Sequence, residues 1–207
     1  MHLPDGIIPL DQAFLYWLLS IIILAVYNYK FSKNEQVEKQ IVNIAIFSAI
    51  VLLLSSLSIP SPLGIPIHFF VIPIVVILLG VISATLCSCI CLIGQALLLN
   101  MGGISSFGAN FLVMGFILSI VTIVSYNIFL NIDERIAIFL STIMGIISAT
   151  FLQAIILVLS GSITFNAVIS TLIPYYMFIS VIEAILNVMI VIAIKRIKPD
   201  LLKLDKI

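Results

Sequence analysis

Apolar residues along this chain fall in long blocks. They follow neither the one-sided stripe of a soluble helix nor the alternation of a half-buried strand. The first block covers residues 13–29 and comes close to the ~20 residues that cross a bilayer as a helix. A polar stretch over 28–40, with Lys30, Lys33, Glu35, Glu38 and Lys39, reads as an aqueous loop. The second block, 41–59, ends at Pro60-Ser61-Pro62-Leu63-Gly64-Ile65-Pro66, where the prolines and glycine cannot continue a helix. From 69 to 99 the apolar character is almost unbroken. One helix of that length, at ~1.5 Å per residue, would overshoot the ~30 Å hydrocarbon layer by half. The block must divide, and Gly80 is the expected break, giving a short segment over 68–79 and a longer one over 81–99. An uncharged, glycine-rich turn occupies 100–110. Three more blocks, 111–130, 136–159 and 172–194, are separated by a tight loop carrying Asp133-Glu134-Arg135 and a turn opening at Ser160-Gly161-Ser162. The pattern predicts an all-α, polytopic membrane protein of about seven transmembrane segments, divided between the third and fourth near Gly80, as a single integral-membrane unit over residues 1–207.

Composition narrows this further. With 63% hydrophobic and 9% charged residues and a mean hydropathy of +1.36, the chain cannot fold as a soluble globule. The formal net charge of zero offers no basic face for nucleic acid. No positively charged region precedes the first block and no small-residue cleavage pattern ends it, so the amino terminus is expected to be retained. An odd number of crossings, with the carboxyl terminus in the cytoplasm, places the amino terminus outside. All nine Lys and Arg residues then fall on the cytoplasmic side, as the positive-inside tendency requires. The expected location is the cell membrane, as a multi-pass protein.

That topology brings the only two histidines, His2 and His68, to the same outward face. A free α-amine at Met1, the amide of His2 and the His2 ring can close fused chelate rings, giving three nitrogens in a plane. Nickel(II), copper(II) and, less strongly, cobalt(II) suit such sites, whereas zinc prefers a tetrahedron of side chains. His68 is the available fourth ligand. The amine and rings must be unprotonated to bind, so affinity should fall in acid. The plain alternatives are a frayed chain end and an ordinary interfacial histidine.

Glu183 lies inside the last apolar block, and an intramembrane carboxylate is a functional candidate by default. It could orient an imidazole, offset cation charge or join helices. Asp5 and Asp11 could attract cations or cap the first helix, with capping favoured for Asp11. Gln95, Asn100, Asn110, Gln153 and Asn187 can make interhelical hydrogen bonds. Cys87 and Cys91 share a helix face with Cys89 between them. They allow a soft-metal relay, although buried cysteine usually behaves as a small hydrophobe. There is no phosphate-binding Gly-x-x-x-x-Gly-Lys-Ser/Thr loop, no His-Glu-x-x-His and no Gly-x-Ser-x-Gly. A chain that captures an ion without a motor of its own must use a gradient or borrow a motor.

These residues resemble the substrate-binding M subunit of nickel and cobalt energy-coupling-factor transporters, the CbiM/NikM family. Met1-His2-Leu3-Pro4-Asp5-Gly6 is similar to that family's Met-His-Ile-Pro-Asp-Gly opening. Gln95-Ala96-Leu97, Gly102-Gly103 and Gly108-Ala109-Asn110 resemble its core, and Leu159-Ser160-Gly161 and Glu183-Ala184 its later motifs. The resemblance implies that Met1 gives its amine, His2 its amide and ring, and His68 its ring. From the residues themselves, Glu183, Asn110 and Tyr176 are candidates to stand behind them. The resemblance also implies no cofactor beyond the transported Co(II) or Ni(II). As partners it implies a transmembrane coupling subunit, a pair of ATP-binding subunits, often a small auxiliary membrane subunit, and the lipid bilayer. Two departures bear on selectivity: Ile65-Pro66-Ile67 replaces a hydroxyl-bearing stretch, and Tyr176 stands where the family has a histidine. The rival readings are a membrane metallo- or redox enzyme using Cys87, Cys91 and Glu183, and an energy-coupling-factor subunit for an organic cargo.

Overall fold

Where the apolar blocks lie, the computed structural model forms helices. It describes residues 2–57 and 68–197; Met1, the proline-rich loop with Ile65-Pro66-Ile67, and the tail lysines Lys198, Lys203 and Lys206 fall outside the described residues. The helices are α1 (Leu10–Ser32), α2 (Val37–Ser56), α3 (Ile72–Leu79), α4 (Val81–Leu98), α5 (Phe107–Phe129), α6 (Glu134–Leu159) and α7 (Phe165–Ile197). α5 and α7 each contain a π-helical turn, at Phe111–Ile117 and Val168–Leu172. No strand occurs among the described residues. α5 runs along α6 and α6 along α7, α2 lies on α4, and α3 sits in the centre against α4, α5 and α6.

Six of the seven helices are long and apolar enough to cross a membrane. The eight residues of α3, ~12 Å at 1.5 Å each, are not. The third segment therefore differs from the expected helix over 68–79, because residues 68–71 are not helical. Two local features stop the helix at Ile72. Val71 adopts a left-handed conformation (φ 63°, ψ −23°), and Pro73 has no N–H, which only the first turn of a helix tolerates. At the other end the chain divides at Gly80, as expected, with φ 85° that glycine alone adopts freely. All eight residues of α3 are buried.

Helix ends generally run past the apolar blocks, since Lys30, Gln12 and Glu134 continue the coil into the interface. Asp133 caps α6 by accepting from the N–H groups of Arg135 and Ile136. Asp11, expected to cap α1, instead sits in its first turn, and that helix begins without a side-chain cap. The ends of the bundle are chemically distinct. Gln12 reaches the carbonyl of Leu159 at one end of α6, and Lys195 of α7 pairs with Glu134 at the other. The amino-terminal segment and the end of α7 thus lie at opposite faces. Leu18, Ile22, Ile46 and Leu53 point outward, as suits lipid.

α1 crosses α5 at Gly108, where a methyl group would collide with the backbone of Tyr16 and Trp17. Backbone this close needs glycine. Gly108→Ala should therefore lower the melting temperature of the detergent-solubilised protein, at a cost of about 1–3 kcal/mol; an unchanged melt would show that the two helices are free to separate.

Candidate metal site

The amino-terminal segment is not helical, so its backbone groups need outside partners. Asn110 supplies two: its Oδ1 accepts from the Leu3 N–H (2.8 Å) and its Nδ2 donates to the Leu3 carbonyl (3.0 Å). The Ser106 hydroxyl donates to the same carbonyl at 2.5 Å. The Leu3 side chain is buried. Two residues on, the Asp5 carboxylate accepts from the N–H groups of Ile104 (3.1 Å) and Ser105 (2.7 Å) and from the Ser105 hydroxyl. The Ser105 hydroxyl in particular holds the Asp5 carboxyl below its ordinary pKa. Gly103 leaves the space that Asp5 occupies, and Gly102, at φ 83°, faces the His2 ring and Asn110. The glycine-rich turn is a socket for the chain's beginning.

In that socket the protonation of His2 follows from its neighbours. The one hydroxyl proton of Ser55 goes to the Val51 carbonyl (2.5 Å), so Ser55 Oγ accepts from Gln95 Nε2 (2.8 Å). The other end of that amide, Oε1, therefore faces His2 Nε2 at 2.8 Å. An amide oxygen only accepts, so Nε2 carries the proton and Nδ1 keeps a free lone pair. Burial first, and then the positive charge of the amino terminus, lower the His2 pKa to about 4. The ring is neutral at physiological pH.

His68 repeats the arrangement. Its Nδ1 is buried without a hydrogen-bond partner, while the ring bonds to the Ser55 backbone. With Nδ1 unpartnered, that bond comes from Nε2. Burial, followed by the amino-terminal charge, lowers its pKa as well. The two imidazoles lie within electrostatic reach, since a charge on His68 opposes protonation of His2. Each ring thus has Nε2–H tied to protein and Nδ1 unprotonated, the state a metal ligand needs.

The other sequence candidates occupy definite places. Glu183 touches neither imidazole through a hydrogen bond: its Oε2 accepts from the Phe70 N–H and its Oε1 from the Val71 N–H, both at 2.8 Å. Tyr176 meets the Phe70 ring edge-on at 5.8 Å between centroids. Asn110 acts on the backbone of Leu3 and not on a ring. Met1 is outside the described residues, and among those described no three His, Cys, Asp or Glu side chains gather as a metal site. A cation here would depend on terminal and backbone nitrogens. Cys87, Cys89 and Cys91 are free thiols, and Cys91 Sγ lies 3.8 Å from Ser55 Oγ. Sequence reasoning gave Ser55 no role and Gln95 only a general one. A signal was present in the helical spacing of Gln40, Ser48 and Ser55, which are buried on one face of α2.

The family profile described as "Cobalt uptake substrate-specific transmembrane region" matches residues 2–201. The chain belongs to the CbiM family. A CbiM protein of Methanocaldococcus jannaschii is 30% identical over 210 residues, which is 98% of this chain and 90% of that one. A CbiM protein of Methanosarcina barkeri is 36% identical over 118 residues, or 56% of this chain and 51% of its own length. A crystal structure of a truncated transition metal transporter superposes with a TM-score of 0.84 at 24% identity, covering 95% of this chain and 99% of that one. At that identity the likeness establishes a common fold. The CbiM membership and the apolar helices together make this a multi-pass membrane protein of a transport family.

The buried, neutral His2 ring has a consequence for stability. An unfolded chain takes up a proton at His2 near pH 6.5, the folded one only near pH 4. The unfolded state binds more protons between those values, so stability falls as pH drops through that window, by a contribution on the order of 3 kcal/mol. Melting temperatures of the metal-free protein between pH 7 and 4.5 should fall more steeply for wild type than for His2→Ala. Equal slopes would count against the buried ring.

Proposed function

We propose that this chain is the cation-capturing membrane subunit of an importer for Co(II) or Ni(II). The Met1 amine, the His2 amide and Nδ1, and His68 Nδ1 hold the ion near the outer face. The observation that carries the reading is the buried, unpartnered Nδ1 of His68, within reach of a second ring whose Nε2 donates to Gln95 and whose Nδ1 is therefore unprotonated. A lone pair buried without a donor is a cost unless something fills it, and a divalent cation does. The amide of His2 ligates only after the metal displaces its proton, so binding releases protons and weakens in acid. No covalent bond is made or broken in the cargo. The relatives are named as cobalt transport proteins, while a planar set of nitrogens favours nickel. Competition between the two ions decides their order.

Release inward is driven by partners: a transmembrane coupling subunit, a pair of ATP-binding subunits and, in some assemblies, a small auxiliary membrane subunit. The charge pattern supports an amino terminus outside and the end of α7 in the cytoplasm. Lys30, Lys33, Lys39, Arg135, Lys195 and Arg196 flank the ends of α1, α2, α6 and α7 away from the Leu3 socket.

Calorimetric titration of the purified chain with Ni(II) and Co(II) tests the ligand set. His2→Ala, His68→Ala and one alanine inserted between Met1 and His2 should each abolish tight binding, because the chelate rings have fixed size. Cys87→Ser with Cys91→Ser should leave it intact; binding lost with the thiols and retained without the imidazoles would favour the redox-enzyme reading instead.

The Gln95 amide sets the tautomer of His2 without touching the ion. Gln95→Met should therefore weaken binding by about 10- to 100-fold while the protein stays folded. Wild-type affinity in that variant would remove Gln95 from the site.

A further inference from the structure

We infer that Glu183 is a latch holding His68 toward the cation, and that Val71 is a strained hinge which withdraws the ring when the latch opens. The inference rests on the reading of His68 as a ligand and adds how that ligand is positioned and released. The Glu183 side chain is 2% exposed, and among the described residues no lysine or arginine pairs with it. Both its oxygens are spent on two consecutive backbone N–H groups, Phe70 and Val71. Successive N–H groups converge on one anion only when the backbone turns unusually, and here Val71 supplies the turn at φ 63°. A β-branched side chain in the left-handed region is a true outlier. Such strain persists only where the surroundings impose it, and the carboxylate is the group in place to do so.

The two ends of the hinge are unequally held. Downstream, α3 is buried along its whole length and cannot follow a rotation at Val71. Upstream, His68 is three residues away, held by its ring's bond to Ser55 and by the Phe70 ring against Tyr176. A return of Val71 to negative φ therefore moves the histidine and leaves the helix in place. There is room for the change: Phe69, Val71 and Glu183 line a cleft of about 420 Å³ that also borders Leu54 of α2 and Leu186 of α7. In this arrangement the strain at Val71 favours ligand withdrawal, and the two hydrogen bonds oppose it. Glu183 is a positioning residue, acting on the ion through the backbone that carries His68.

The test is the release rate of Ni(II) from the full-length purified chain, followed after mixing with excess chelator. Glu183→Gln replaces one acceptor by a donor and should speed release about tenfold. Val71→Gly keeps the turn without the strain and should release no faster than wild type. The double variant should return toward the wild-type rate, a non-additivity that general loosening would not produce. Val71→Asn, whose side chain tolerates positive φ, tests the hinge by itself, with slower release expected. Thermal melts identify any variant that has not folded. Glu183→Gln releasing at the wild-type rate, or folded Val71→Gly or Val71→Asn accelerating release, overturns the latch. Should wild type bind no Ni(II), the metal site itself fails. Should wild type bind, His68→Ala not bind and Glu183→Gln behave as wild type, the site stands and only the latch falls.

Discussion

Backbone that leaves the helical state inside an apolar bundle must find hydrogen bonds elsewhere, and that requirement shapes this molecule. Both histidines ride on such backbone: His2 on the segment before α1, and His68 on the non-helical segment before α3. Where water is excluded, buried side chains must serve these groups. Asn110 and Ser106 satisfy Leu3, Asp5 ties the next residues to the glycine-rich turn, and Glu183 satisfies Phe70 and Val71. Asn110, Ser106, Asp5 and Glu183 are thus spent on the main chain that carries the imidazoles, while Gln95 alone among these neighbours bonds to a ring.

Ser55 joins the two halves. Its hydroxyl fixes the Gln95 amide and through it the proton on His2, and its backbone takes the bond from His68. One residue at the end of α2 therefore influences the tautomer of both rings. The order matters, because an amide turned the other way would move the His2 proton to Nδ1 and take from the proposed site the lone pair it needs. Rings held in the ligating tautomer before the ion arrives need no reorganisation to bind it.

The helices were legible because uninterrupted apolar runs of this length have one stable answer in a bilayer. Gly80 was legible too: a run too long for one crossing has to break, and only glycine takes that φ without strain. Boundaries were off by a few residues where Lys30, Gln12 and Glu134 carry helix past the apolar edge. The non-helical stretch at 68–71 was hidden, since His-Phe-Phe-Val has no feature of its own that forbids helix; Pro73 just beyond it and the contact with Glu183, distant in sequence, decide it. A carboxylate in an apolar block announces that it needs a partner and says nothing of which. An imidazole, a cation or a neighbouring helix were the expected partners of Glu183, and two main-chain N–H groups are what it has. Ser55 was invisible for the opposite reason, because serine is common in membrane helices and usually bonds its own turn.

Tight capture and later release would make opposing demands on the proposed site, and the division of the fold suits both. The scaffold of α3 to α6 is densely packed: α3 is wholly buried and Gly145 of α6 lies against Thr122 of α5 with no space for a methyl group. The candidate ligands come instead from the amino-terminal segment and from a short strained segment before α3, each held by a few hydrogen bonds. Segments of that kind open at lower free energy than the core they rest on. Their hydrogen bonds can be exchanged one set at a time while the helices stay where they are. A site assembled from such parts can be closed by the cation that bridges them and opened without unfolding the bundle. In the proposed site, moving either part away would break the coordination as a whole, since among the described residues no cluster of ligating side chains stands ready to replace a lost nitrogen.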